Sequence, residues 1–321
     1  MFDLVSMGEL LIDFTPRGIS AAGNPLFEQN PGGGPANLAC AAAKMGCKVS
    51  FIGKVGNDVM GDFLKYTLAR NQVDTRNLLQ DAQYKTTLAF VHLDESGDRS
   101  FSFYREKGAD TMLRFSEIDL SLLKNCRYFF FSSVLMAQGA SRETSFQVAQ
   151  YVKSEGIPVI FDPNLRFNLW NSAEEAKSCI CRALEYADIV KVSEEELVFL
   201  TGEDDCKKAT EILMNRYPVA AVFATLGAKG CYARTAAGRS AYHPGFAVHT
   251  VDTTAAGDSF TGGLVRCLSK SEKPIAQYSE GELKEAIRFA NAVGALTTTK
   301  PGAISAMPGL HDVETLLARS I

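Results

Sequence analysis

Two short stretches concentrate the residue types that handle anions and hydroxyl groups. The first, Val251-Asp252-Thr253-Thr254-Ala255-Ala256-Gly257-Asp258-Ser259-Phe260, is mostly small and hydroxyl-bearing residues. Small residues let the chain turn tightly and let a bulky anion approach the backbone. A helix starting near Gly257 would aim its free amides and the positive end of its dipole at that anion. A carboxylate in such a place is chemically odd beside a phosphate unless it serves as a base. Asp258 could accept the proton of a hydroxyl that attacks phosphorus. The plainer reading is that Asp258 stabilises a helix N-terminus, and spacing alone favours it. The second stretch, Pro31-Gly32-Gly33-Gly34-Pro35-Ala36-Asn37-Leu38-Ala39, has neither GxGxxG nor GxxxxGK[ST] spacing. By itself it reads as a Gly-rich turn into a helix packed through small residues.

The elements that must carry these stretches follow from the apolar pattern. Residues 2–14 read as a strand, a Gly break and a second extended piece. A small-residue helix over 36–45 ends at Gly46, 47–55 is strand-like, and 58–71 is an amphipathic helix. Apolar runs at 128–131, 158–161, 188–192 and 219–223 alternate with helices near 141–155, 172–186 and 204–216, and helices near 257–270, 280–298 and 311–319 close the chain. Continuous apolar strands separated by amphipathic helices imply a mainly parallel sheet covered on both faces. Ligands of such sheets bind beyond the carboxyl ends of strands. Residues 86–105 differ, being β-branched and aromatic with partial alternation around the turn-forming 94–98. They predict a hairpin in a small accessory sheet.

Composition narrows the function. The 321 residues carry a net charge of −4 with no basic stripe, which argues against nucleic-acid binding. The eight cysteines are scattered without a CxxC pair, as expected for reduced thiols rather than disulfides or zinc. The amino terminus enters a strand without a basic or long apolar leader, and nowhere do 18 apolar residues run together. The expectation is a cytoplasmic protein with no membrane partner.

The ten residues 251–260 resemble the carboxyl-terminal signature of the ribokinase-like (PfkB) family of carbohydrate kinases, and 31–39 resemble its amino-terminal signature. The resemblance extends over about residues 2–310 and is nearest to fructokinases. It implies a three-layer α/β/α fold, one kinase domain over 1–321, and a lid from about 10–31 and 86–108. It implies ATP-dependent phosphorylation of a sugar primary hydroxyl, most like fructose to fructose 6-phosphate. The rivals are 2-keto-3-deoxygluconate and, in another class, a non-catalytic sugar or nucleotide sensor. A sensor would be expected to lose the base or the anion hole, and Asp258, Gly257 and Glu196 are present.

In that family the residue matching Asp258 is the base, and the amides at Ala255, Ala256 and Gly257 form an anion hole for the γ-phosphate. Many members have Gly where this chain has Ala255. The Gly pair and Asn37 bind sugar hydroxyls, for which an amide that donates and accepts is suited. The positions here are Gly33 and Gly34; sugar-acid kinases often carry an acidic residue at the latter, so Gly34 favours a neutral ketose. Asp13, in Gly8-Glu9-Leu10-Leu11-Ile12-Asp13, matches a sugar-binding Asp; a strand-end turn residue is the alternative. Arg105, in a lid-like Phe103-Tyr104-Arg105, reads as a substrate contact or as a solvated strand-edge charge. Arg166, in Asp162-Pro163-Asn164-Leu165-Arg166, reads as a substrate or phosphate contact or as a buried partner of Asp162. Lys191-Val192-Ser193-Glu194-Glu195-Glu196 stands in place of an N-x-x-E motif. Glu196 there organises Mg²⁺ through water, and Ser193 with Glu196 also forms a capping box. Thr225, Gly227 and Gly230 resemble a nucleotide-holding loop, Asn291 a position near adenine, and Lys191 a cofactor contact. Gly302 with Asp252 and Thr254 resembles a stretch that encircles a monovalent cation, K⁺, in many relatives. The exposed edge of a β lid would offer a surface for a homodimer.

Overall fold

Leu4 and Val5 are neighbours on one strand yet belong to different hydrophobic cores, and the architecture follows from that division. The computed structural model describes residues 1–93 and 99–319. Its strands are β1 (Phe2–Met7), β2 (Leu11–Ile19), β3 (Pro25–Gly32), β4 (Val49–Gly56), β5 (Val73–Asp81), β6 (Leu88–Leu93), β7 (Arg99–Tyr104), β8 (Cys126–Ser132), β9 (Val159–Asp162), β10 (Ile189–Ser193), β11 (Ala221–Thr225), β12 (Cys231–Thr235) and β13 (Ser240–His243). Its helices are α1 (Gly34–Lys44), α2 (Val59–Arg70), α3 (Leu120–Lys124), α4 (Ser141–Ser154), α5 (Ala173–Leu184), α6 (Glu194–Thr201), α7 (Cys206–Arg216), α8 (Ala256–Lys270), α9 (Glu280–Thr297) and α10 (Leu310–Arg319).

Nine strands form one sheet in the order β13-β12-β11-β10-β9-β8-β1-β4-β5. The strands from β11 to β5 pair in parallel, and β12 and β13 add an antiparallel edge. From β1 the chain winds outward through β4 and β5, then returns to β8 on the other side and continues to β11. Right-handed crossovers therefore put α1 and α2 on one face and α4 to α7 on the other. Period-2 alternation feeds both cores: Phe130 joins the first, while Phe129 and Phe131 join the second. Helices α8 and α9 complete the first layer over Ile160, Ile189 and Phe223. Phe51, Phe129, Phe131, Phe161 and Phe223 are fully buried, each worth roughly 1.5–3 kcal/mol relative to exposure. This is the expected three-layer α/β/α arrangement.

A second sheet has the order β3-β2-β6-β7, with β2 and β6 parallel and the outer pairs antiparallel. The expected hairpin is β6–β7, paired from Leu88↔Tyr104 to Leu93↔Arg99. Its turn, 94–98, lies outside the described residues. The alternative reading of Asp13 as a strand-end turn residue is corrected: it lies inside β2, opposite Asn30 and Ala89. All eight cysteines are free thiols. Among the described residues no helix is long and apolar enough to cross a membrane.

Candidate active site

The direction of winding reverses between β1 and β8, which opens a crevice at the carboxyl edge of the large sheet. A cavity of about 370 Å³ lies there, between the starts of α1 and α8 and the second sheet. Glu9 follows β1, Asn164 and Arg166 follow β9, and Lys191, Ser193 and Glu196 end β10 and begin α6. Asp13 and Phe103 line it from the second sheet, with Arg105 just beyond β7.

Close backbone approach explains the glycines. Gly33 has φ 112°, and a Cβ there would stand 2.3 Å from the Glu9 carbonyl oxygen. A Cβ on Gly34 would lie 2.4 Å from Asn164 Nδ2 and 3.3 Å from Asp258 Oδ1. A side chain at position 34 would therefore have to displace Asn164, whereas Gly34 leaves the space between Asn164 and Asp258 open and uncharged. A Cβ on Gly32 would strike the Asp13 carboxylate. Deeper in, Gly262 lets α8 lie directly on α1, since a Cβ would come 2.6 Å from that of Ala41. This packing brings Asn37 and Asp258 together, and Asn37 Nδ2 donates to Asp258 Oδ2 at 2.9 Å. Asn37 Oδ1 is buried and has no hydrogen-bond partner within the protein.

Helix α8 starts on Ala255 with φ 60°, without a side-chain cap. A left-handed backbone explains why Gly is common at this position in the family that residues 251–260 resemble; Ala tolerates it at a cost of about 1 kcal/mol. The amide of Ala256 closes a turn on the Thr253 carbonyl at 3.2 Å, so it is not a free donor as expected of the anion hole. Gly257 and Asp258 precede the first intrahelical bond of α8, which leaves their amides directed at the cavity. A Cβ on Gly257 would lie 3.1 Å from Lys191 Nζ, so the ammonium closely flanks those amides.

Lys191 is buried, and its Nζ lies 3.0 Å from Asp162 Oδ2. Burial opposes its charge, but Asp162, Glu196 and Asp258 outweigh burial and raise its pKa. Burial raises the pKa of Asp258, against the Asn37 hydrogen bond and the charges of Lys191 and Arg166. The same burial raises Asp162, with Glu196 and Asp258 adding to it and Lys191 opposing. Glu196 Oε2 accepts the Ser193 amide at 2.8 Å and Oε1 the Leu165 amide at 2.7 Å. Ser193 Oγ accepts from Glu196 N at 3.2 Å, completing the capping box.

Two alternatives are corrected. Arg166 is exposed on the cavity rim, because Lys191 occupies Asp162 in its place. Arg105 is not a solvated edge charge: it is buried, and its Nη2 lies 2.6 Å from Asp110 Oδ2. Thr225, Gly227, Gly230 and Asn291 do not line the cavity. Thr225 pairs with Ser193 across β10 and β11. Gly227 (φ 56°) and Gly230 shape the turn that follows, and a Cβ on Gly230 would stand 2.2 Å from the His243 carbonyl oxygen. Asn291 Nδ2 donates to the carbonyls of His243 and Pro244 at 3.0 and 3.1 Å, so these residues frame one neighbouring rim. Asp252 accepts the Thr254 amide at 2.8 Å and the Gly302 amide at 3.0 Å, drawing those segments together in an adjoining cavity. Among the described residues no cluster of His, Cys, Asp and Glu has metal-site geometry. Glu9, Phe103 and Asn164 line the main cavity without having been assigned a role from sequence. The left-handed φ of 41° at Asn164 is invisible there, although Asn is a residue that tolerates it.

Residues 1–310 match the pattern described as pfkB family carbohydrate kinase. Fructokinase-1 of Oryza sativa subsp. japonica is 41% identical over 317 residues, covering 98% of this chain and 96% of that protein. Fructokinase of Xylella fastidiosa with bound ATP superposes with a TM-score of 0.91 at 32% identity, covering 100% of this chain and 99% of the other. Fructokinase of Vibrio cholerae O395, in its fructose, ADP and calcium ion bound form, gives a TM-score of 0.88 at 36% identity, with 98% of each chain covered.

Proposed function

This chain belongs to the pfkB family of carbohydrate kinases, and from that premise we propose that it transfers the terminal phosphoryl group of ATP to a primary hydroxyl of fructose, giving fructose 6-phosphate and ADP. The observation that carries this reading is the Asn37–Asp258 hydrogen bond, which joins the two chemistry-bearing stretches in one cavity. The fructose- and ADP-bound relative supports the choice of sugar.

The sugar lies between Asp13, Gly33, Gly34 and Asn37. Arg105 and Arg166 border it. Asp258, held by Asn37, takes the proton of the attacking hydroxyl. That oxygen forms its bond to the γ-phosphorus as the bond to ADP breaks, and the amides of Gly257 and Asp258 with Lys191 meet the transferring charge. We read the second sheet as a lid that excludes water from this step. The nucleotide extends toward the rim framed by Thr225, Gly227, Gly230 and Asn291.

Three carboxylates, Asp162, Glu196 and Asp258, act on a single ammonium here. This excess negative charge fits a divalent cation, Mg²⁺, with Glu196 holding its water. Such an ion would neutralise phosphate charge. A monovalent cation would sit by the segments that Asp252 joins. The free thiols suit the cytoplasm, and the edge strands of the second sheet are where we place a second copy of the chain.

The test is an ADP-release assay with Mg-ATP and fructose, 2-keto-3-deoxygluconate, ribose, glucose or adenosine, with Asp258→Asn alongside. Fructose turnover that collapses in the variant is expected. Preference for another substrate would overturn the sugar assignment and keep the base. Binding without turnover of any would leave a sensor.

A further inference from the structure

Glu9 stands where β1 hands the chain to the second sheet, buried, with one carboxyl oxygen engaged and the other not. Oε1 accepts the Gly34 amide at 2.9 Å. Oε2 is shielded from solvent without a hydrogen-bond partner, a costly arrangement for a carboxylate. The backbone keeps the same contact close, because Gly33 packs against the Glu9 carbonyl with no room for a Cβ.

The charges that act on this carboxyl are Arg105 and Asp110, on the segment leaving β7. The guanidinium is committed to Asp110 through Nε at 2.8 Å and Nη2 at 2.6 Å, and to the Val134 carbonyl at 3.2 Å. From α8, Asp258 lies across Gly34. From β4, Lys54 is turned to Asp81 and Glu117. Lys44 of α1 reaches the Ile304 and Met307 carbonyls, and Asp13 of β2 borders the same cavity.

We infer that Glu9 is a positioning residue for sugar binding, whose ionised carboxylate grips the Gly34 amide and holds the Gly33–Gly34 turn in place, and which loosens that grip on taking up a proton. This rests on the reading of Gly33 and Gly34 as sugar contacts. A hydrogen bond to an ionised acceptor is roughly twice as strong as a neutral one. Burial pushes the Glu9 carboxyl up to about 7, against the pull of backbone amides and Arg105. The switch therefore falls near neutrality: above it Glu9 is ionised and sugar binds well, and below it Glu9 is protonated and binding weakens.

The test measures KM for sugar at saturating Mg-ATP on both sides of neutrality, in the wild type and in Glu9→Gln. In the wild type, KM should rise several-fold, up to about tenfold, on the acid side. Glu9→Gln should keep the high KM at every pH, while its kcat retains the acid limb due to Asp258. A Glu9→Gln enzyme with wild-type KM and wild-type pH dependence overturns the inference. Should that variant not fold, a wild-type KM that stays flat through neutrality overturns it alone. The series uses whichever panel sugar the wild type phosphorylates, so losing the fructose assignment leaves this test standing. Turnover of none would remove both readings.

Discussion

Helices α6 and α8 both begin at the cavity with a carboxylate in the first turn, and the two starts are built in opposite ways. At α6 the cap and its carboxylate are matched: Ser193 caps the Glu196 amide, and both Glu196 oxygens accept backbone N–H groups. At α8 no side chain caps the helix, and the donor assigned to Asp258 is the single amide of Asn37. Helices α2, α5, α7 and α9 resemble α6 in starting on an Asp or Ser cap. Helix α1 resembles α8, with Gly33 at its start and no cap. Helix α4 also starts without a cap, on Ala140, but of these uncapped starts only α1 and α8 meet, at the Asn37–Asp258 contact. A carboxylate satisfied by amides fixes backbone, whereas one desolvated beside free amides retains an oxygen and a raised proton affinity for chemistry.

Substitution separates these roles. Asp258→Asn should lower kcat by about 10³-fold, within the span of general-base catalysis, while sugar binding and thermal stability stay near wild type. In the wild type, kcat should fall as pH drops through the Asp258 pKa, and because burial raises that pKa the limb should lie above the ordinary carboxylate range. Glu196→Gln should act in the reverse proportion. It leaves a partly buried amide unmatched, costing about 1 kcal/mol in urea unfolding. It should weaken use of Mg-ATP by about 10-fold, as loss of an outer-shell partner does. Equal losses of kcat in the two variants, with equal stability, would erase the distinction.

The difference between the two starts was only partly legible in the sequence. Ser193 and Glu196 announce their capping box because a cap is a local, four-residue pattern. The bond from Asn37 to Asp258 spans 221 residues and depends on the glycine seam between α1 and α8, so only the resemblance placed the two stretches together. The large sheet was readable wherever strands are apolar throughout, as in Phe129-Phe130-Phe131. Strands β5, β12 and β13 were not anticipated: polar residues interrupt all three, and β5 and β13 lie at the sheet edges, where burial imposes less pattern. Arg166 stands four residues from Asp162 and was the partner the sequence suggested; Lys191, 29 residues away, reaches it because β9 and β10 are neighbours in the sheet. Glu9 left no trace, because its bond to the Gly34 amide spans 25 residues and forms only once the fold buries the carboxyl.

The smallest effect tests the backbone at the start of α8. At φ 60° Ala255 carries left-handed strain of about 1 kcal/mol. Glycine would relieve it, but would add unfolded-chain entropy worth roughly 0.4–1 kcal/mol. The two terms oppose, so Ala255→Gly should leave urea stability within about 0.5 kcal/mol of wild type and kcat within about twofold. Ala255→Val sharpens the point, since a β-branched side chain at positive φ has no comfortable rotamer. It should destabilise the fold and lower kcat together, because the turn it deforms aims the Gly257 and Asp258 amides. If valine were as harmless as glycine, α8 would not need its left-handed start. The contrast with α6 would then rest on Asp258 alone.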